Sequence, residues 1–168
     1  MQRQTKREFR EETDEKKFDK RVHEKIKEKV NKKYLNDWTV LWLATQIRCE
    51  KVVDFLLRDS RVDVDALDTW KSTPLMYASM SGEEKIVKLF LESGRAKINA
   101  KNHDDQTPLI LAAARGKEKV VQLLLEKRGI QIDARDSDGE TPLFAAAENG
   151  HEKVVMLLLE KRRIEINA

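Results

Sequence analysis

Apolar residues along most of this chain recur in a fixed figure. A run opening Thr-Pro-Leu carries apolar or small residues as far as a glycine; after a few charged residues a second run holds Val and Leu at helical spacing, and an Ile-x-Ile pair follows. Thr73-Pro74-Leu75, Thr107-Pro108-Leu109 and Thr141-Pro142-Leu143 stand 34 residues apart, and Thr39-Val40-Leu41 is a worn copy another 34 residues upstream. Thr107 to Ala134 and Thr141 to Ala168 are identical at 19 of 28 positions. Self-similarity at this period predicts stacked repeats.

Each copy predicts two helices. A Thr hydroxyl at the N-cap accepts a backbone N–H, and Pro at the next position has a fixed φ and no N–H for the first turn to waste. In the third copy the first helix runs from Leu109 to Arg115 and stops at Gly116, where glycine takes the left-handed conformation without steric cost; Gly82 and Gly150 stand at the same place in their copies. A second helix begins near Glu118-Lys119, and Val120, Val121, Leu123, Leu124 and Leu125 form one broad buried face. The small Ala112-Ala113 pair allows close approach. Ile130 and Ile132 then alternate with polar residues and lead through Asp133-Ala134 into the next turn. The first copy, from Tyr34 to about Asp63, has Val40 for the Pro and Arg48 for the Gly. A non-glycine residue in a left-handed turn costs on the order of 1 kcal/mol, so this copy is either strained at Arg48 or turns differently. The fourth copy keeps the internal pattern in Val154, Val155, Leu157, Leu158 and Leu159. Ile164-Glu165-Ile166-Asn167 is expected to enter another turn, as part of a longer protein or a truncated product.

Two short antiparallel helices with a projecting turn, repeated in register, resemble the ankyrin repeat. The resemblance covers residues 34–168 and implies an all-α ankyrin repeat solenoid with repeats at about 34–67, 68–101, 102–135 and 136–168, the first degenerate. The family's His after Thr-Pro-Leu is replaced by Trp42, Met76, Ile110 and Phe144, so apolar packing is expected to take over from the hydrogen bonds that this His makes. The period also exceeds the family's commoner length by one residue, placed in the Lys-Arg-Gly or Lys-Arg-Arg stretch behind the second helix.

Residues 1–33 differ in composition. They lack Gly and Pro, are dominated by Lys, Arg and Glu, and space Phe18, Val22, Ile26 and Val30 by four. This predicts a helix from about Phe18 to Tyr34 with a thin apolar stripe, serving as a cap on the first repeat or as a coiled-coil or partner-binding helix. A nucleic-acid arm is the remaining alternative, but 13 basic against 9 acidic residues over positions 1–38 leave only +4, without the aromatic interleaving that stacking on bases needs. The whole chain carries Lys+Arg 33 against Asp+Glu 30, a mixed surface that does not indicate bulk attraction to nucleic acid. A lone Cys49, no apolar run of membrane or signal-peptide length and no glycosylation sequon fit an intracellular protein, cytoplasmic rather than nuclear.

The search for chemistry returns no catalytic constellation. His23, His103 and His151 match no zinc spacing. Asp136-Ser137-Asp138-Gly139-Glu140 has the look of a calcium loop, but aligning Gly139 with its glycine puts alanines where acids are required. No phosphate loop or nucleophile elbow is present, so neither cofactor, metal nor small-molecule substrate is expected. The resemblance instead implies a concave binding face built from turn tips and the exposed ends of the first helices. Carried over residue by residue, that face offers Trp38 and Ile47 in the first copy and Trp70 and Met80 in the second. The third offers His103, Asp104 and Arg115, and the fourth Asp138. The first two copies are apolar and aromatic there, the last two polar and acidic. Trp70 is the sharpest signal, because its counterparts are Asn36, Asp104 and Asp138 and a turn tip needs no tryptophan; exposed aromatic anchors mark interface hot spots. Trp38 is equally suited to packing within the chain. The expected function is a non-catalytic, monomeric scaffold that binds a protein partner. The alternative is a structural spacer within a larger multidomain regulatory protein.

Overall fold

Every Thr of the repeated phrase starts a helix. Thr39, Thr73, Thr107 and Thr141 have extended backbone, and each hydroxyl accepts the backbone N–H three residues on, from Trp42, Met76, Ile110 and Phe144. The computed structural model describes residues 32–33 and 38–166; of the helix expected over Phe18 to Tyr34 only residues 32–33 are among them, and these two are not helical, while the rest of that span and Asn36 lie outside. Among the described residues there are eight helices and no strand: α1 Val40–Gln46, α2 Glu50–Arg58, α3 Pro74–Ser81, α4 Glu84–Ser93, α5 Pro108–Ala114, α6 Glu118–Leu125, α7 Pro142–Glu148 and α8 Glu152–Ile166.

The odd-numbered helices pack in one layer and the even-numbered in another, each on its counterpart in the next copy and on its partner within the copy. The core is one contiguous band between the layers. Leu41, Leu75 and Leu109 are fully buried at one position, and Leu56, Phe90, Leu124 and Leu158 at another. Each such side chain contributes about 1.5–3 kcal/mol relative to exposure, and much of its burial is against the neighbouring copy, as a repeat architecture requires.

The turn between paired helices is left-handed in every copy, with φ of +60° at Arg48, +81° at Gly82, +62° at Gly116 and +71° at Gly150. The worn first copy is therefore strained rather than rerouted. A side chain from the next copy crosses each of the first three turns. Glu83 pairs with Arg48 at 2.8 Å, the Lys117 stem lies over Gly82, and His151 lies over Gly116 with Nε2 3.2 Å from the Ala114 carbonyl. A carbonyl only accepts, so Nε2 carries the proton. Arg48 thus gains a partner from the side chain that elsewhere covers glycine.

Connections behind the second helices are stapled from copy to copy. The Arg95 guanidinium donates to the carbonyls of Leu57, Asp59, Ser60 and Val62, at 2.6–3.2 Å, satisfying acceptors at and beyond the C-terminal end of α2. Asp65 accepts the Lys97 N–H at 3.0 Å, and Asn99, at the same place one copy on, accepts the Gln131 N–H at 3.0 Å. The fourth copy corrects the expectation of another turn at residues 164–167: α8 continues to Ile166. The second and third copies place Gly94 and Gly129 at positive φ behind their second helices, whereas Arg162-Arg163 supplies no residue suited to that conformation.

Candidate functional site

The turns that project from the array are built by an Asp or Asn at one position. Asp68 Oδ1 accepts the N–H groups of Trp70 and Ser72 at 2.8 and 2.7 Å, and Asn102 and Asp136 do the same for their own turns. These short acceptors hold the backbone through a left-handed residue at Lys71, Asp105 and Gly139. Neighbouring tips are tied directly, His103 N–H to the Trp70 carbonyl at 3.0 Å and Ser137 N–H to the Asp104 carbonyl at 2.9 Å. Trp70 therefore stands on a pinned backbone while its side chain is 70% exposed.

Aromatic rings gather beside it. Trp38, half-buried, stacks on Trp42 with centroids 4.7 Å apart and planes 5° from parallel, and Trp42 meets Tyr77 at 4.8 Å. Trp42 Nε1 donates to the Ser72 carbonyl at 3.4 Å, tying α1 to the second turn. At the corresponding places Met76 and Ile110 are buried, and Met76 Sδ accepts the Thr73 N–H at 3.4 Å. Apolar packing thus takes over in the internal copies, supplemented by these contacts; Phe144 is exposed.

Trp38, Trp42, Trp70 and Tyr77 wall a cavity of about 330 Å³ whose remaining lining includes Met80 and Leu111 and, on the polar side, Asp68 and Asp104. Of the residues singled out from the sequence, Trp38, Trp70, Met80 and Asp104 come together here. Ile47, His103, Arg115 and Asp138 are exposed but do not line it; Asp138 instead lines a mixed-charge groove of about 510 Å³ with Arg135, Glu140 and Phe144. Trp42 and Tyr77 are additions. Tyr77 had a legible signal, since the other copies have Leu43, Leu111 and Ala145 at its place.

Electrostatics divide the face. In the fourth copy, partial burial together with the charges of Glu148, Asp136 and Asp138 pushes the Glu140 carboxyl above the usual carboxylate range. Among the described residues no group of three His, Cys, Asp or Glu side chains could hold a metal ion, and no helix is long and apolar enough to cross a membrane.

The family model described as "Ankyrin repeats (3 copies)" matches residues 16–102 and 95–168. The chain belongs to the ankyrin repeat family. No curated protein matches it. Ankyrin repeats are generally protein–protein interaction modules and typically not enzymes. In this ankyrin array the rings of the first two repeats and residues of the third turn line one cavity.

Proposed function

We propose that this ankyrin array is a non-catalytic module that docks a segment of a protein partner on its concave face, with the Trp38–Trp70–Met80 cavity as the anchor. The observation that carries the reading is Trp70, largely exposed on a hydrogen-bonded turn and opening onto an aromatic cavity. A large rigid side chain held out of its own core loses little entropy on binding and contributes area. Asp104 lines the same cavity; His103, Arg115 and Asp138 supply the polar flank, and Ile47 extends the apolar end. On this reading the chain works as an intracellular monomer.

The test is capture from a cell lysate by the chain and by the Trp70→Ala/Met80→Ala double variant, with retained proteins identified by mass spectrometry. Loss of a hot spot costs at least about 2 kcal/mol, or roughly thirtyfold in affinity. A protein held by the parent and released by the variant, at equal unfolding midpoints, is the expected result. The same set retained by both, or nothing retained by either, would favour the spacer role.

A further inference from the structure

The composition of the cavity narrows what it accepts. Its described lining contains two carboxylates and no basic side chain. Asp68 spends Oδ1 on the backbone of its turn, whereas Asp104, exposed, contributes only backbone atoms to the hydrogen bonds of its tip. An apolar ligand would desolvate these acids without compensating them. A lysine ammonium is strongly hydrated and gives up water reluctantly; a guanidinium is weakly hydrated, planar and suited both to stacking on indole and to a forked bond with a carboxylate. The volume, near the lower end for ligand sites, suits one side chain with its adjoining backbone. Beyond the cavity the face continues with Asp136, Asp138, Glu140 and Glu148, a run of acids that complements further basic residues. Arg135 and Arg162 line the groove with Asp138 and Glu140, but Arg135 donates to the Gly139 carbonyl and Arg162 pairs with Asp133 at 3.6 Å.

We propose that the aromatic cavity takes an arginine side chain from a basic segment of the partner, its guanidinium stacked on the exposed ring of Trp70 beside Trp38 and paired with Asp104. This rests on the docking reading above and specifies its ligand. Seven-residue peptide pools with the central residue fixed as arginine, citrulline, lysine or leucine provide the probe, titrated by calorimetry against the full chain and its Trp70→Ala and Asp104→Asn variants. Citrulline keeps the shape and removes the charge. The arginine pool is expected to bind about tenfold tighter than the citrulline pool, a factor worth 1.4 kcal/mol, and tighter than the lysine and leucine pools. Asp104→Asn should close most of the arginine–citrulline gap, and Trp70→Ala should weaken every pool. Citrulline, lysine or leucine matching arginine while Trp70→Ala still weakens binding overturns the arginine assignment and leaves the docking site standing. Binding by no pool, or binding indifferent to Trp70→Ala, overturns both.

Discussion

Gly116 and Gly150 occupy the same place in consecutive copies, and replacing each with alanine separates two costs. Both have positive φ, so each alanine loses on the order of 1 kcal/mol to backbone strain. At Gly150 nothing lies within 4 Å of the added carbon, whereas at Gly116 it would sit 2.6 Å from His151 Nδ1. His151 must move and give up its bond to the Ala114 carbonyl, adding about 1 kcal/mol. Urea unfolding should therefore show Gly116→Ala losing roughly twice what Gly150→Ala loses; equal losses would remove the His151 clasp from the account. Ser79 is the opposite case. Its hydroxyl is fully buried without a partner among the described residues, while Thr45 at that place in the first copy donates to the Leu41 carbonyl and the third copy has Ala113. Ser79→Ala should raise stability by about 1 kcal/mol, since an unsatisfied buried group costs at least that much. The Thr caps and the Gly turns were legible because local backbone chemistry alone requires them. The Arg48–Glu83 pair was not, since it joins residues 35 positions apart in an exposed corner that only stacking creates.

Connections between elements carry the pH dependence. Burial raises the Asp65 carboxyl above its ordinary value, with a smaller push from Asp63, against the lowering effect of the Lys97 N–H and the Lys97 and Arg95 charges. A raised folded pKa means that the folded chain binds the extra proton more readily. Asp65 therefore favours folding most below the ordinary carboxylate range and loses that contribution as pH rises through its folded value. Asn99 fills the same place one copy on, accepting the Gln131 N–H and donating to the Gly129 carbonyl at 2.8 Å. Asp65→Asn keeps the acceptor and removes the charge. Its denaturation midpoint should exceed the parent's at pH 7, and the difference should shrink as pH falls through the carboxylate range; a constant difference across that range would assign the effect to something other than ionisation. Element types and order were readable from period and caps. The length of α8 was not, because the near-identity of the third and fourth copies concealed the one change that matters there, Gly129 becoming Arg163.

At the scale of the molecule, a solenoid is held by its junctions, and they differ in kind. The later ones combine repeated apolar contacts with polar ties such as Asn99 to Gln131 and His151 to the Ala114 carbonyl. The first adds Arg95, whose four hydrogen bonds reach from the second copy onto the end of α2. The same asymmetry explains how much of the candidate site was legible. The apolar first half and acidic second half of the face follow from turn positions, and Trp70 from its departure at a tip. The cavity itself depends on Trp42 and Tyr77, whose rings meet only when α1 and α3 pack side by side. Because stability in such an array is a sum of repeat and junction contributions, weakening one junction should separate the chain into parts. Hydrogen bonds from a charged donor contribute about 1.5–3 kcal/mol each against unsatisfied carbonyls, although these acceptors are partly reached by water, so Arg95→Ala should cost about 3 kcal/mol in all. Lysine, without the planar fork, should recover only part of it. The loss should be local: amide exchange in α1 and α2 should quicken far more than in α5 to α8, and the unfolding curve should broaden as the first repeat melts ahead of the others. A uniform loss of protection with an unbroadened transition would show instead that the repeats fold as one unit, and that the Arg95 staple stabilises the whole array rather than its first junction.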